Sequence, residues 1–270
     1  MKDQVSFFRI RAMFSSVSGM GTLSVCLLVM ALALGSSISA SAQQPFISTW
    51  QSDNAGTSAS NQITIPGLGS NYDIHWEEVG NPANQGTATG NNLTTITFPS
   101  AGTYRVSISP GAGTFHRIFF SNGGDRLKLL SIDQWGSIAW SNMDSAFYGC
   151  ANLVYNATDI PDLSQVTIMR YMFAGCRKFN GPIGNWNVGN VTNMSFLFAN
   201  AVTFNQPIGN WDVSNVINMN AMFTLATVFD QPIGDWDVRN VIDMRDMFNY
   251  AIGFNKPIGN WDVTKVNNMA

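Results

Sequence analysis

The sequence predicts a β-rich protein in two parts: a small antiparallel β-sandwich followed by an α/β solenoid of about 25-residue repeats. Three observations predict it. Trp186, Trp211, Trp236 and Trp261 recur every 25 residues through the C-terminal half. Residues 45–125 lack that period and instead show short alternating runs separated by Gly, Asn, Pro and Ser clusters. Only 11% of the 270 residues are charged and 24 are Gly, which suits an exported β-rich chain better than a cytosolic helical enzyme.

The first element is an export leader over residues 1–42. Lys2, Arg9 and Arg11 form a positive n-region, and Leu23 to Leu34 an apolar h-region. Ala40-Ser41-Ala42 offers small residues for cleavage before Gln43. A retained anchor is the alternative, but the apolar run is short for a spanning helix. Lipidation at Cys26 is a third reading, and the bulky Val25 before it argues against that one. Cleavage removes three basic residues and one acidic residue (Asp3), leaving 11 basic and 16 acidic, a net charge of −5. No later stretch is apolar enough to span a bilayer. No basic stripe is available for phosphates, so nucleic acid is excluded as a partner. The predicted location is secreted, or on the outer envelope of a bacterium.

The second element, residues 43–125, carries strand-like runs at 62–65, 72–76, 93–98, 104–108 and 117–120. Trp76 and the segment Phe98-Pro99-Ser100-Ala101-Gly102-Thr103-Tyr104 resemble a PKD-like domain, an immunoglobulin-like β-sandwich of exported bacterial proteins. Glu77-Glu78-Val79-Gly80 departs from that family's Gly-Asp-Gly turn. The resemblance implies a spacer or cap, joined to the first repeat through Asn122 to Trp140.

The third element, residues 126–270, is the repeat array. Phe179, Phe204, Phe229 and Phe254 keep the 25-residue step, as do Pro182, Pro207, Pro232 and Pro257. So do Met194, Met219, Met244 and Met269, and Phe198, Phe223 and Phe248. Weaker units precede them: Met169, Phe173, Cys176 and Phe179 follow Met143, Phe147, Cys150 and Leu153 by 26 residues. The last unit stops in mid-repeat and is read as truncated. One unit cannot bury its own Trp, Phe and Met, whereas stacked units place each on its equivalents. Trp186, Trp211, Trp236, Trp261, Phe198, Phe223, Phe248, Met194, Met219 and Met244 are therefore the predicted structural core. PIGNWDV reads as a strand-like rung. VxNMxxMFxxA, with apolar spacings of three and four, reads as a short helical arm. A strand plus a short helix per repeat is a leucine-rich-repeat-type α/β solenoid. FNQPIGNWDVSNV followed by NMNAMF resembles the BspA-like repeat of bacterial surface proteins. That resemblance implies surface display and adhesion, and carries no catalytic residues.

Chemistry is sparse. The two histidines, His75 and His116, sit in predicted strands, and no metalloprotease, nucleophile-elbow or phosphate-loop pattern occurs. No cofactor, metal or catalytic residue is assigned. Cys150 and Cys176 occupy equivalent positions one repeat apart. Rungs about 4.8 Å apart are compatible with a disulfide, and Ala201, Ala226 and Ala251 at the same position favour a plain need for a small side chain. Asp212, Asp237 and Asp262 could line a Ca²⁺ ladder or cap turns; Asn187 in the series favours turns. An inward Trp column is favoured over a glycan-stacking one. Ser214, Arg239 and Thr264, and Thr203, Val228 and Gly253, mark a variable surface. The expected function is a non-catalytic binding or adhesion module for a protein or glycan ligand at the cell surface. The alternatives are a stalk presenting a further domain and, last, a secreted hydrolase.

Overall fold

The computed structural model describes residues 43–269. The leader read over residues 1–42 lies outside the described residues. Those described contain nine strands and no helix. In chain order the strands are β1 (Phe46–Gln51), β2 (Gln62–Ser70), β3 (Tyr72–Glu78), β4 (Asn81–Gly90), β5 (Leu93–Thr97), β6 (Thr103–Ser109), β7 (Thr114–Ile118), β8 (Leu129–Gln134) and β9 (Val154–Tyr155). They form a six-stranded sheet, ordered β4-β3-β6-β1-β8-β9, and a three-stranded sheet, β5-β2-β7. All pairings are antiparallel except β8 with β9. Alternation along the strands sends Phe46, Trp50, Ile63, Ile65, Ile74, Val106 and Ile108 into one core.

Residues 81–90, read from sequence as a separator, are strand β4. They carry Pro82 and two glycines, which argue against a central strand. β4 lies at the sheet edge, where such residues are tolerated, and pairs with β3. Its Gly86 sits opposite Trp76, and a Cβ there would lie 2.5 Å from the indole, so the ring covers the glycine. Trp76 also meets Phe98 and Tyr104 edge-on, with centroids at 5.3 and 5.7 Å. The Tyr104 hydroxyl donates to the Ser100 carbonyl at 2.9 Å, tying the start of β6 to the turn before it.

The sandwich runs directly into the repeats. Residues 129–134, read as linker, form β8 beside β1. Beyond β7, the amides of Phe120, Ser121 and Asn122 donate to Ala146, Ser145 and Tyr148 of the first coil. Phe46, Trp135, Trp140 and Phe147 pack at the junction, and Trp135 meets Trp186 at 5.4 Å. The described residues form one compact unit with a continuous core.

The α/β solenoid is overturned by the repeats themselves. The arm predicted as a helix is a run of consecutive turns. In one coil Leu197, Ala199 and Ala201 donate to Met194, Phe196 and Phe198, three residues back rather than four. The alternate amides, of Met194, Phe196, Phe198 and Asn200, leave the coil and donate to Asn218, Asn220, Met222 and Thr224 of the next. Half the backbone donors thus close turns and half stack coils. The turns force φ values near +57° on Phe196 and Asn200. A helix and this ribbon share apolar spacings of three and four, which is why periodicity could not separate them. PIGNWDV is not a strand either: Trp186 donates to Ile183 and Val191 to Val188, both turns. The regular coils share one parallel bridge per step, through Ile168, Asn193, Asn218, Asp243 and Asn268, and a further one joins Ala139 to Asp162.

The predicted core residues lie inward. Trp186, Trp211 and Trp236 are each 4% exposed, and Phe198, Phe223, Met194, Met219 and Met244 are buried. In the last coil Phe248 and Trp261 are only partly buried. Phe173, Phe198, Phe223 and Phe248 stack at 5.7–6.1 Å, and Phe179, Phe204, Phe229 and Phe254 at 5.9–6.0 Å. The indoles of Trp211, Trp236 and Trp261 donate to Ile183, Ile208 and Ile233 of the preceding coil at 3.1 Å. Trp211, Trp236 and Trp261 therefore satisfy their polar atoms through the stack, whereas Trp186, at the head of the column, has no partner for its indole nitrogen.

Cys150 and Cys176 are not bonded to each other. Both are free and buried, and the Cys176 thiol donates to the Phe147 carbonyl at 3.0 Å. The site requires a small side chain, which Ala201, Ala226 and Ala251 supply farther along.

Candidate functional site

The polar ladders are structural. Asp212, Asp237 and Asp262 accept from the amides two residues on, at Ser214, Arg239 and Thr264. Those three variable residues therefore belong to turns. Arg239 beside Asp237 holds its carboxyl down to about 2. Asn190, Asn215 and Asn240 donate to Ser164, Gly189 and Ser214 of the preceding coil. Among the described residues no group of three or more His, Cys, Asp or Glu could hold a metal.

The histidines show no activated partner. His75 Nε2 meets Gln85 Oε1 at 2.9 Å. His116 Nδ1 meets Ser141 Oγ at 2.9 Å, and that hydroxyl donates to the His116 carbonyl. A buried cluster, Asp125 with Lys128, is likewise occupied. Lys128 Nζ donates to the carbonyls of Ser58, Ala59 and Gln62 and to Ser58 Oγ, all within 3.1 Å. Asp125 accepts from Thr57, Ser58 and Thr64. Together they pin residues 57–64 onto the sandwich.

One surface differs from these. Tyr171 and Phe196 occupy the same turn position in adjacent coils, with φ of 56° and 57°. The backbone is forced there because Ala174 closes a turn on Tyr171, and Ala199 one on Phe196. Their rings stack at 4.5 Å and 13°, and Tyr148 extends the stack at 5.0 Å and 23°. The three rings are half-exposed and form a ledge across the coils. Arg170 braces it, 5.7 Å from the Tyr171 ring centroid and ion-paired to Asp144 at 3.0 Å. Partial burial, with the neighbouring Tyr148, pushes the Tyr171 phenol up.

A groove of about 440 Å³ runs beside the ledge, within the range of small-ligand sites, roughly 300–1,000 Å³. Gly149, Gly175, Asn122, Arg126 and Asn200 also line it, and the side chains of Asn122 and Arg126 lie over Gly149, where a Cβ would meet both. The Arg126 guanidinium has neither an ion pair nor a hydrogen bond among the described residues. The side-chain amides of Asn122 and Asn200 are also unengaged. The groove backbone is saturated: Gly149, Gly175 and Asn200 donate to Ala174, Ala199 and Thr224 at 2.7–2.8 Å. Another hollow, lined by Met244, Met247, Phe248, Ile258, Trp261 and Met269, is the uncovered face of the last coil and repeats the core columns.

The repeats also have known counterparts. Residues 141–240 and 207–270 match the family described as "Mycoplasma protein of unknown function, DUF285". The match is consistent with a BspA-like surface repeat protein. No curated protein and no solved structure matches the chain. No helix of the described residues is long and apolar enough to cross a membrane.

The ledge was missed at the sequence level. The signal was present in the second residue after each repeat Met, which reads Tyr171, Phe196, Ala221 and Asp246. Period-locked Trp and Phe drew attention instead, and those are core. Arg126 lies outside the repeat period, so no pattern could bring it to the ledge.

Proposed function

We propose that this protein is an exported, non-catalytic binding module displayed at a bacterial surface, whose ligand sits in the groove beside Tyr148, Tyr171 and Phe196. In this reading residues 1–42 are the leader, 43–125 a PKD-like sandwich acting as cap, and 126–270 the repeat array. The Tyr104 hydroxyl held on Ser100 supports the immunoglobulin-like reading of the sandwich. The family match supports the surface reading.

The carrying observation is the half-buried aromatic ledge beside the groove. Tyr171 and Phe196 are half-buried and keep part of their rings at the surface beside the groove, within reach of a ligand. Aromatic anchors beside unengaged polar groups are the composition of a recognition site rather than of a surface at rest.

The test is binding of the purified chain to arrayed glycans and matrix and envelope proteins, against the Tyr171→Asn, Phe196→Asn double variant. Asn accepts the left-handed backbone, so folding is preserved. Binding that the double variant loses supports the reading. Binding that it retains, or no binding by the parent, overturns it.

A further inference from the structure

We infer that the last coil is a docking face for one more coil of the same repeat, brought by another polypeptide whose row of stacking carbonyls is uncovered.

The face already holds its docking conformation. Met247, Asn249 and Ala251 close turns on Met244, Asp246 and Phe248. Asp246 and Tyr250 keep the left-handed φ of 55°. In the coils before it, Phe173, Phe198 and Phe223 donate to Leu197, Met222 and Met247. Gly175, Asn200 and Leu225 donate to Ala199, Thr224 and Asn249. Phe248 and Tyr250 hold the same places in the last coil, and their amides donate to no described residue. A row of unpaired amides is a template for another chain. The Ile258 carbonyl takes no indole, although Ile183, Ile208 and Ile233 each take one. Beside these groups Met244, Met247, Phe248, Trp261 and Met269 line an apolar hollow.

Gly259 is the most specific mark. A Cβ on Gly184, Gly209 or Gly234 would strike the carbonyl of Pro207, Pro232 or Pro257 in the following coil. Around Gly259 nothing lies within 4 Å. It leaves the room that a proline carbonyl of a further coil would fill.

The polarity of the stack selects the partner. Each coil gives its stacking donors to the next and receives those of the coil before. At the head, the Phe120, Ser121 and Asn122 amides cover the Ala146, Ser145 and Tyr148 carbonyls. In the last coil the Met247 and Asn249 carbonyls are taken by Phe223 and Leu225. Among the described residues no coil therefore has an open carbonyl row, and a second copy would meet this face donor to donor. The occupant needs the carbonyl row, a Trp for Ile258 and a Pro for Gly259.

Hydrogen exchange of the full chain, read residue by residue with a synthetic peptide of residues 218–241 at up to about 1 mM, tests the inference. That peptide carries Met222, Thr224, Pro232 and Trp236 in the required order. It should slow exchange at Phe248 and Tyr250. Gly259→Val should leave the unfolding temperature unchanged, because the added side chain enters open space, and should weaken peptide binding about tenfold or more. Met269→Glu, at a side chain 60% exposed, should also weaken it. No protection of Phe248 and Tyr250, or equal protection in Gly259→Val and Met269→Glu, overturns the inference. Self-association of the chain in sedimentation, lost in Gly259→Val, overturns it in favour of a second copy.

Discussion

Lys256 Nζ lies 2.6 Å from Asp230 Oδ2, at the step of the stack where the preceding coils place Gln206 on Asn180 and Gln231 on Asn205. The ladder residue also accepts the amide of the next coil: Asn205 on Asn180, Asp230 on Asn205, Asn255 on Asp230. The position therefore needs an acceptor facing the next backbone amide, and either chemistry supplies it. The Asp–Lys pair is a charged version of the Asn–Gln pair. Both partners are about one-third exposed, so water and salt screen the charge. The Asp230→Asn, Lys256→Gln double variant should melt at the parent temperature. Asp230→Ala should melt lower, because it also strands the Asn255 amide. Thermal unfolding at low and high salt checks this, and a double variant much less stable than the parent at both would show that charge carries the step.

Leu225 stands in the column of Gly149, Gly175 and Asn200, with φ of 60° and its side chain 40% exposed. It carries the backbone strain of an L-residue there and returns little burial. Leu225→Asn, the residue that Asn200 places at this position one coil back, should stabilise the chain by about 0.5 kcal/mol, since Asn accepts the left-handed backbone without the unfolded-chain freedom of Gly. Urea midpoints measure it, and an unchanged or lower midpoint would mean that Leu225 packs in a way its exposure does not show.

The aromatic columns give a graded expectation along the stack. Phe204 is buried between Phe179 and Phe229 at 5.9 and 6.0 Å, with Phe198 at 3.9 Å. Phe254 has a column neighbour on one side, Phe229, and is only partly buried. Phe204→Ala should cost about 3–5 kcal/mol and Phe254→Ala clearly less. Equal losses would mean that the array does not behave as a nearest-neighbour stack.

The buried thiols lend themselves to a direct chemical check. Burial pushes the Cys150 and Cys176 thiols well above their ordinary range. Neither should react with a thiol reagent at pH 8 until the chain unfolds, when both should. Fast labelling of the native chain would show that the coils around them open.

The stack and its inward residues were legible from sequence because a fixed period reports which side chains meet. Trp211 and Phe223 needed only that argument. The local conformation was not legible, because Met194, Phe198 and Ala201 have the same spacing in a helix and in a ribbon of turns. Only the destination of the alternate amides, in the next coil, separates the two. Strand β4 was hidden for a different reason. Its Gly86 looks like a strand breaker alone and becomes acceptable once Trp76 lies over it. The groove was hidden because Arg126 and Tyr171 belong to different parts of the chain, and nothing in either residue's neighbours announces the other.

The last expectation concerns acid. Burial works to raise the Asp125 carboxyl, but donation from Ser58 and Thr64 and the charge of Lys128 outweigh it, so it titrates below its ordinary range. Its carboxyl pKa in the unfolded chain is about 3.9. A carboxyl held lower when folded adds stability that is fully present above that value and is lost as pH falls through the lower folded value. Asp125→Asn should therefore cost about 2–3 kcal/mol at pH 7, the scale of hydrogen bonds to a charged group. The gap from the parent should narrow below pH 4, as the parent's carboxyl takes up its proton. Lys128 keeps its three carbonyls in the variant, so the segment 57–64 loosens without leaving the sandwich. Urea unfolding of both proteins at pH 7 and pH 3 measures the difference. A gap of the same size at both would assign the contribution of Asp125 to its shape and neutral hydrogen bonds rather than to its charge.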